Sequence, residues 1–125
     1  MTTGLDQMKL RQEQSPAHGT HTMSKRHRWE AEGRRLRWLW KAEGCDSAVQ
    51  FAARMNWLQS AMSQFETGLR PVPLHKLRAL SQRVVGFDVE WLWSGDTRGL
   101  SFDLRKRLKA VQDKEEAGKE LARKR

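Results

Sequence analysis

Between Ser47 and Gly68 the chain reads SAVQFAARMNWLQSAMSQFETG, and its apolar spacing admits few folds. Phe51, Met55, Trp57, Met62 and Phe65 fall where two short crossed helices must bury side chains. Ala52 lies at the crossing, where a larger side chain would hold the helices apart. Asn56 lies at the turn, and Asn tolerates a left-handed backbone better than most residues other than Gly. Polar Gln59, Ser60, Ser63, Gln64 and Thr67 then share the open face of the second helix. Such a face is short, uncharged and rich in hydrogen-bonding groups, the surface a helix needs to reach base edges in the DNA major groove.

The flanking segments extend the helical pattern. Leu36, Leu39 and Trp40 predict a first helix from about Glu30 or Arg34 to Glu43, with Arg34, Arg35, Arg37 and Lys41 largely outside its apolar stripe. Ser47 to Gln50 fits a capping box, in which Gln50 reaches back to the cap. A third helix covers roughly Gln59 to Glu66 and ends before Gly68. A fourth follows Pro71 and Pro73, with Leu74, Leu77, Leu80 and Val84 at helical spacing. Asp88 is placed to cap a short fifth helix, Val89 to Trp93, stopped by Ser94 and Gly95. Residues 101–117 predict one more helix, with Leu104, Leu108 and Val111 in a narrow apolar stripe and Gly118 at its end. The predicted fold class is all-α: a disordered basic arm over 1–28, a five-helix domain over 29–95, and a charged helical tail over 96–125.

Charge and cysteine content narrow the partners. The 125 residues carry 24 Lys and Arg against 15 Asp and Glu, a net charge of +9 that favours polyanionic partners. Lys25, Arg26 and Arg28 bring positive charge to the edge of the five-helix domain, where phosphate contact is the favoured reading over a solubilising face. The single cysteine, Cys45, excludes an internal disulfide and fits a reducing cytoplasm. No apolar run reaches transmembrane length and the first thirty residues lack a secretory apolar region, so a cytoplasmic protein with no membrane partner is expected. His18, His21 and His27 with Cys45 match no zinc spacing, so neither metal nor cofactor is expected. No nucleophile, paired-carboxylate or glycine-rich phosphate-loop pattern points to an enzyme.

Residues 34–95 resemble the lambda-repressor-like (Cro/cI, XRE-type) helix-turn-helix DNA-binding family. Three segments carry the resemblance in order: RRLRWLWKAEG, the 47–68 core, and GFDVEWLWSG, which is similar to the family's G-V-S-x-D-W-L-x-x-G ending. The resemblance implies a sequence-specific regulator of transcription, bacterial or phage-encoded, most commonly a repressor that occupies an operator as a homodimer on double-stranded DNA. It implies base reading by Gln59, Ser60, Ala61, Ser63 and Gln64, and phosphate contact by Ser47, Thr67 and Arg70. Gln59 and Gln64 are the leading readers, since a carboxamide pairs bidentately with adenine. Trp40 stands where the family often has an Arg paired with a Glu like Glu66, so Glu66 either finds another partner or stays solvated.

Phe87, Trp93, Leu104 and Leu108 are the candidate dimer contacts. A domain this small cannot bury every large aromatic, so Trp38, Trp57, Phe87 and Trp93 either broaden the core or mark a partner surface. The alternative function is a protein-interaction module of helix-turn-helix fold, an antitoxin or a regulator acting on another protein. A basic rim around Gln59–Gln64 favours DNA, and an apolar patch there favours protein.

Overall fold

The computed structural model describes residues 28–124. Those residues form six α-helices and no strand: α1 (Glu30–Ala42), α2 (Ala48–Met55), α3 (Gln59–Thr67), α4 (Leu74–Arg83), α5 (Val89–Ser94) and α6 (Phe102–Lys124). The arm expected over 1–28, with Lys25 and Arg26, lies outside the described residues except for Arg28.

The α2–turn–α3 unit follows local chemistry. Ser47 caps α2, its Oγ accepting from the Gln50 N–H at 3.2 Å. The return half of the box is displaced by one residue: Gln50 Oε1 accepts from the N–H of Asp46, not of Ser47. At the far end Asn56 takes the left-handed conformation, φ 61° and ψ 42°, and Trp57 N–H donates to Ala52 O at 2.8 Å. The chain thus reverses within two residues. Ala52 is 2% exposed at the crossing, and Trp57 fills the angle between the helices, edge-on to Phe51 and to Phe65 at 6.0 Å each. Trp57 therefore belongs to the core.

Helix α1 is the hub, packing against α2, α3, α5 and α6. Leu36 and Leu39 are fully buried, with Trp40 beside them. Its approach to α3 is very close. A Cβ on Gly33 would lie 2.4 Å from Glu66 O and 2.5 Å from Phe65 O, both backbone atoms. Only glycine lets the two helices meet there. Trp29 N–H donates to Gly68 O at 3.2 Å and closes the same seam.

The C-terminal segment corrects three expectations. Helix α6 is not a tail: Leu104 and Leu108 are 0% and 2% exposed, and Leu100 ahead of them is buried too. Leu104 and Leu108 are consumed by the protein's own core and are not free for a dimer contact. Gly118 does not end the helix, which continues to Lys124. A single helical Gly costs only about 1 kcal/mol relative to Ala, and Gly118 keeps a negative φ among strong helix formers. Finally, Asp88 occupies the N-cap position of α5 without a side-chain cap bond; its carboxylate lies against Gly99.

Polar contacts from α6 and α1 close the remaining helix ends. Arg107 Nη1 donates to Ala42 O at 2.8 Å and to Glu43 Oε2 at 2.9 Å, covering the C-terminus of α1. Glu115 accepts from Trp38 Nε1 at 3.0 Å and from Lys41 Nζ at 2.7 Å. Arg35, expected on the outer face of α1, turns toward α5 and donates to Leu92 O at 2.9 Å and Trp93 O at 3.2 Å. Among the described residues no helix is long and apolar enough to cross a membrane.

Candidate nucleic-acid interface

Helix α3 sets the candidate interface. Its inward residues, Met62 and Phe65, are 1% and 3% exposed and hold it on the core. The same 3.6-residue period turns Gln59, Ser60 and Ser63 outward, and all three are exposed. Leu58 precedes the helix with extended backbone and offers no side-chain cap, so the first turn of α3 leaves its N–H groups to solvent or to a ligand. Ala61 does not join the open row: it is half-buried and packs against the core.

The other end of the row is organised around Gln64. Its backbone carbonyl accepts from Thr67 Oγ1 at 3.3 Å and from the N–H groups of Leu69 and Arg70 at 3.0 and 3.3 Å. Its side-chain Oε1 accepts from Arg70 Nη1 at 2.9 Å. Gln64, Thr67 and Arg70 thus form one cluster at the exit of α3, with Thr67 and Arg70 exposed and Gln64, expected on the open face, half-buried beneath the Arg70 contact. Ser47 is exposed at the start of α2, where its hydroxyl already serves as the cap. Arg28 is exposed, with its guanidinium over the Trp29 ring at 5.4 Å.

Three contacts that the sequence does not reveal, made by Glu32, Lys76 and Trp40, shape this site. Glu32 is 7% exposed on α1, and its carboxylate accepts from Val72 N–H at 3.4 Å, so it holds the α3–α4 loop that carries Arg70. Burial pushes the Glu32 carboxyl above the usual range, against a partial lowering by the Val72 N–H and by Arg35. Lys76, on α4, places its ammonium 5.3 Å from the centre of the Trp57 ring and braces the turn from outside. Trp40 provides the third contact, its indole N–H donating to the Glu66 carboxylate. A regular apolar period flags Trp40 as core but does not reveal that its nitrogen has a partner.

The charge around α3 is uneven. The helix itself contains no basic residue, and the cations adjoining it in sequence are Arg54 on α2, Arg70 in the loop, and Lys76 and Arg78 on α4. A groove beside the C-terminal end of α3 is lined by Arg34 and Arg37 but also by Glu30 and Glu66, with Thr67 at its edge. Large apolar side chains also reach the surface nearby: Leu58 and Leu74, at the starts of α3 and α4, are 73% and 66% exposed.

The expected dimer contacts separate. Phe87 is half-buried, edge-on to Trp91 at 6.4 Å, whereas Trp93 is 56% exposed. Cys45 is buried, and burial raises its thiol above the usual range. His18, His21 and His27 lie outside the described residues. No protein-family model, curated protein or solved structure matches this chain.

Proposed function

We propose that this chain is a sequence-specific, double-stranded-DNA-binding regulator of transcription, of the lambda-repressor-like helix-turn-helix class, acting as a repressor at an operator. The observation that carries this reading is the outward row on α3. Gln59, Ser60 and Ser63 are exposed, uncharged and capable of hydrogen bonding, on a helix fixed by the Asn56 turn and by Met62 and Phe65. That is the chemistry base edges require. Ser47, Thr67, Arg70 and Arg28 meet phosphates in this reading, as do Lys25 and Arg26 of the segment outside the described residues. The net charge of +9 supports a polyanionic partner. The protein binds as a homodimer, because one such helix reads only a few base pairs.

A protein-interaction module is the second reading, and the exposed Leu58 and Leu74 favour it. Selection from a random duplex library, followed by titration of the enriched site, decides between them. The DNA reading expects an inverted repeat bound by two chains. For about 6–10 phosphate contacts, affinity falls roughly 10³–10⁵-fold between about 50 and 200 mM salt. Binding that is equal for all sequences, or insensitive to salt, overturns it.

A further inference from the structure

The contact between Arg70 and Gln64 determines which atoms α3 offers to a base. A guanidinium carries only donors, so the amide atom facing Arg70 Nη1 at 2.9 Å must be the oxygen. The arrangement is held from several sides. The backbone N–H of Arg70 donates to the carbonyl of Gln64, and Val72 N–H, two residues on, donates to the buried Glu32 carboxylate. Arg70 is therefore tethered to Gln64 through both main chain and side chain before any ligand arrives.

A free carboxamide reads adenine by accepting from its N6 amino group while donating to N7. Here the accepting oxygen is engaged by a cation. Its second lone pair lies beside guanidinium N–H groups, which repel the amino hydrogens of adenine. With the oxygen engaged, what the pair has left to offer a base is donors: the two N–H groups of the Gln64 amide and the N–H groups of Arg70 not used in this contact. Guanine presents two acceptors, N7 and O6, on its major-groove edge and complements such a donor array. We propose that the Gln64–Arg70 pair reads guanine, in place of the adenine that Gln64 alone would select and of the phosphate that Arg70 would meet if it were not held on Gln64. The inference rests on the DNA-binding reading above.

The test uses the full chain and three selections from a random duplex library: wild type, Gln64→Ala and Arg70→Ala. The position whose preference Gln64→Ala abolishes is the one this pair reads. In the wild type that position is guanine, and replacing it with adenine weakens binding about 5- to 150-fold. Arg70→Ala releases the amide oxygen, and the preference at that position moves to adenine. To keep the test independent of the variants' folding, the wild-type protein is also titrated on a site with 7-deazaguanine at that position. Loss of the N7 acceptor weakens it several-fold. Adenine at that position in the wild-type consensus overturns the proposal and leaves DNA binding intact. So does an unchanged preference in Arg70→Ala, or no effect of 7-deazaguanine. If the wild type enriches no sequence at all, the DNA-binding reading itself falls, and this proposal with it.

Discussion

Trp40 Nε1 donates to Glu66 Oε2 at 2.5 Å and ties α1 to α3. The indole is 7% exposed, so a hydrogen bond to a carboxylate is formed at the edge of the core, where water competes poorly. An aromatic residue that the apolar period assigns to packing also supplies a polar link, and Glu66 finds its partner there. The link lies one residue from Phe65, the inward anchor of α3, and beside the close approach at Gly33. Together these contacts fix the angle at which the Gln59–Ser63 row faces outward.

Trp40→Phe keeps an aromatic ring but removes the donor. Removing a hydrogen bond to a charged group costs about 1.5–3 kcal/mol, and the lost ring volume adds to it. Urea unfolding is expected to report a loss of about 2 kcal/mol or more. An unchanged midpoint would mean that Glu66 is equally well satisfied by water.

Gly33→Ala should be harmful although Ala is the better helix former. The propensity gain is about 1 kcal/mol. Against it, the new methyl meets the backbone oxygens of Phe65 and Glu66, which cannot rotate away as a side chain would. Overpacking of this kind costs about 1–3 kcal/mol, and here the displaced element is α3 itself. The expected outcome is net destabilisation together with weaker binding to a selected duplex. A more stable variant would show that α1 and α3 separate easily.

Two truncations test the role of α6. Ending the chain after Gly95 removes Leu100, Leu104 and Leu108, all buried. Loss of one buried Leu side chain costs about 2–5 kcal/mol, and a domain has only about 5–15 kcal/mol in total. The shortened protein should lack a cooperative thermal transition by circular dichroism. Ending it after Ala117 removes only exposed turns and should leave the transition in place with a small shift. A cooperative fold for the shorter form would return α6 to the status of an appendage.

Glu32 gives a pH dependence of defined sign. Burial raises its carboxyl in the folded protein, so the native state binds the proton more tightly than the unfolded chain does. Its contribution to stability is fully present below about pH 4.3, the unfolded value, and is lost as pH rises through the raised folded value. Glu32→Gln retains an oxygen for Val72 N–H and carries no charge. Urea unfolding across pH 4 to 8 should show the variant gaining on the wild type as pH rises, then running parallel to it. Curves parallel over the whole range would show that Glu32 has the same affinity for protons in both states.

Local sequence sets the elements that depend on neighbours a few residues away. Ser47 as a cap, Asn56 in a left-handed turn and Gly68 beyond α3 are set by backbone sterics and short hydrogen bonds, and they bound α2 and α3 within a residue of expectation. The apolar period likewise separated Met62 and Phe65 from the outward Gln59, Ser60 and Ser63. Which partner each polar atom takes follows instead from how the helices pack. Arg35 reaches carbonyls 57 and 58 residues away, and Glu115 meets Lys41 across 74. No local pattern encodes such pairings, because they depend on how whole helices cross. The same reason explains α6: its stripe is visible in the sequence, but whether Leu104 and Leu108 face a second chain or their own core depends on the groove that α1 leaves beside them. Gln64 was legible as a polar residue of α3; that it is half-buried, with its oxygen held by Arg70, emerges only when the loop after α3 folds back upon it.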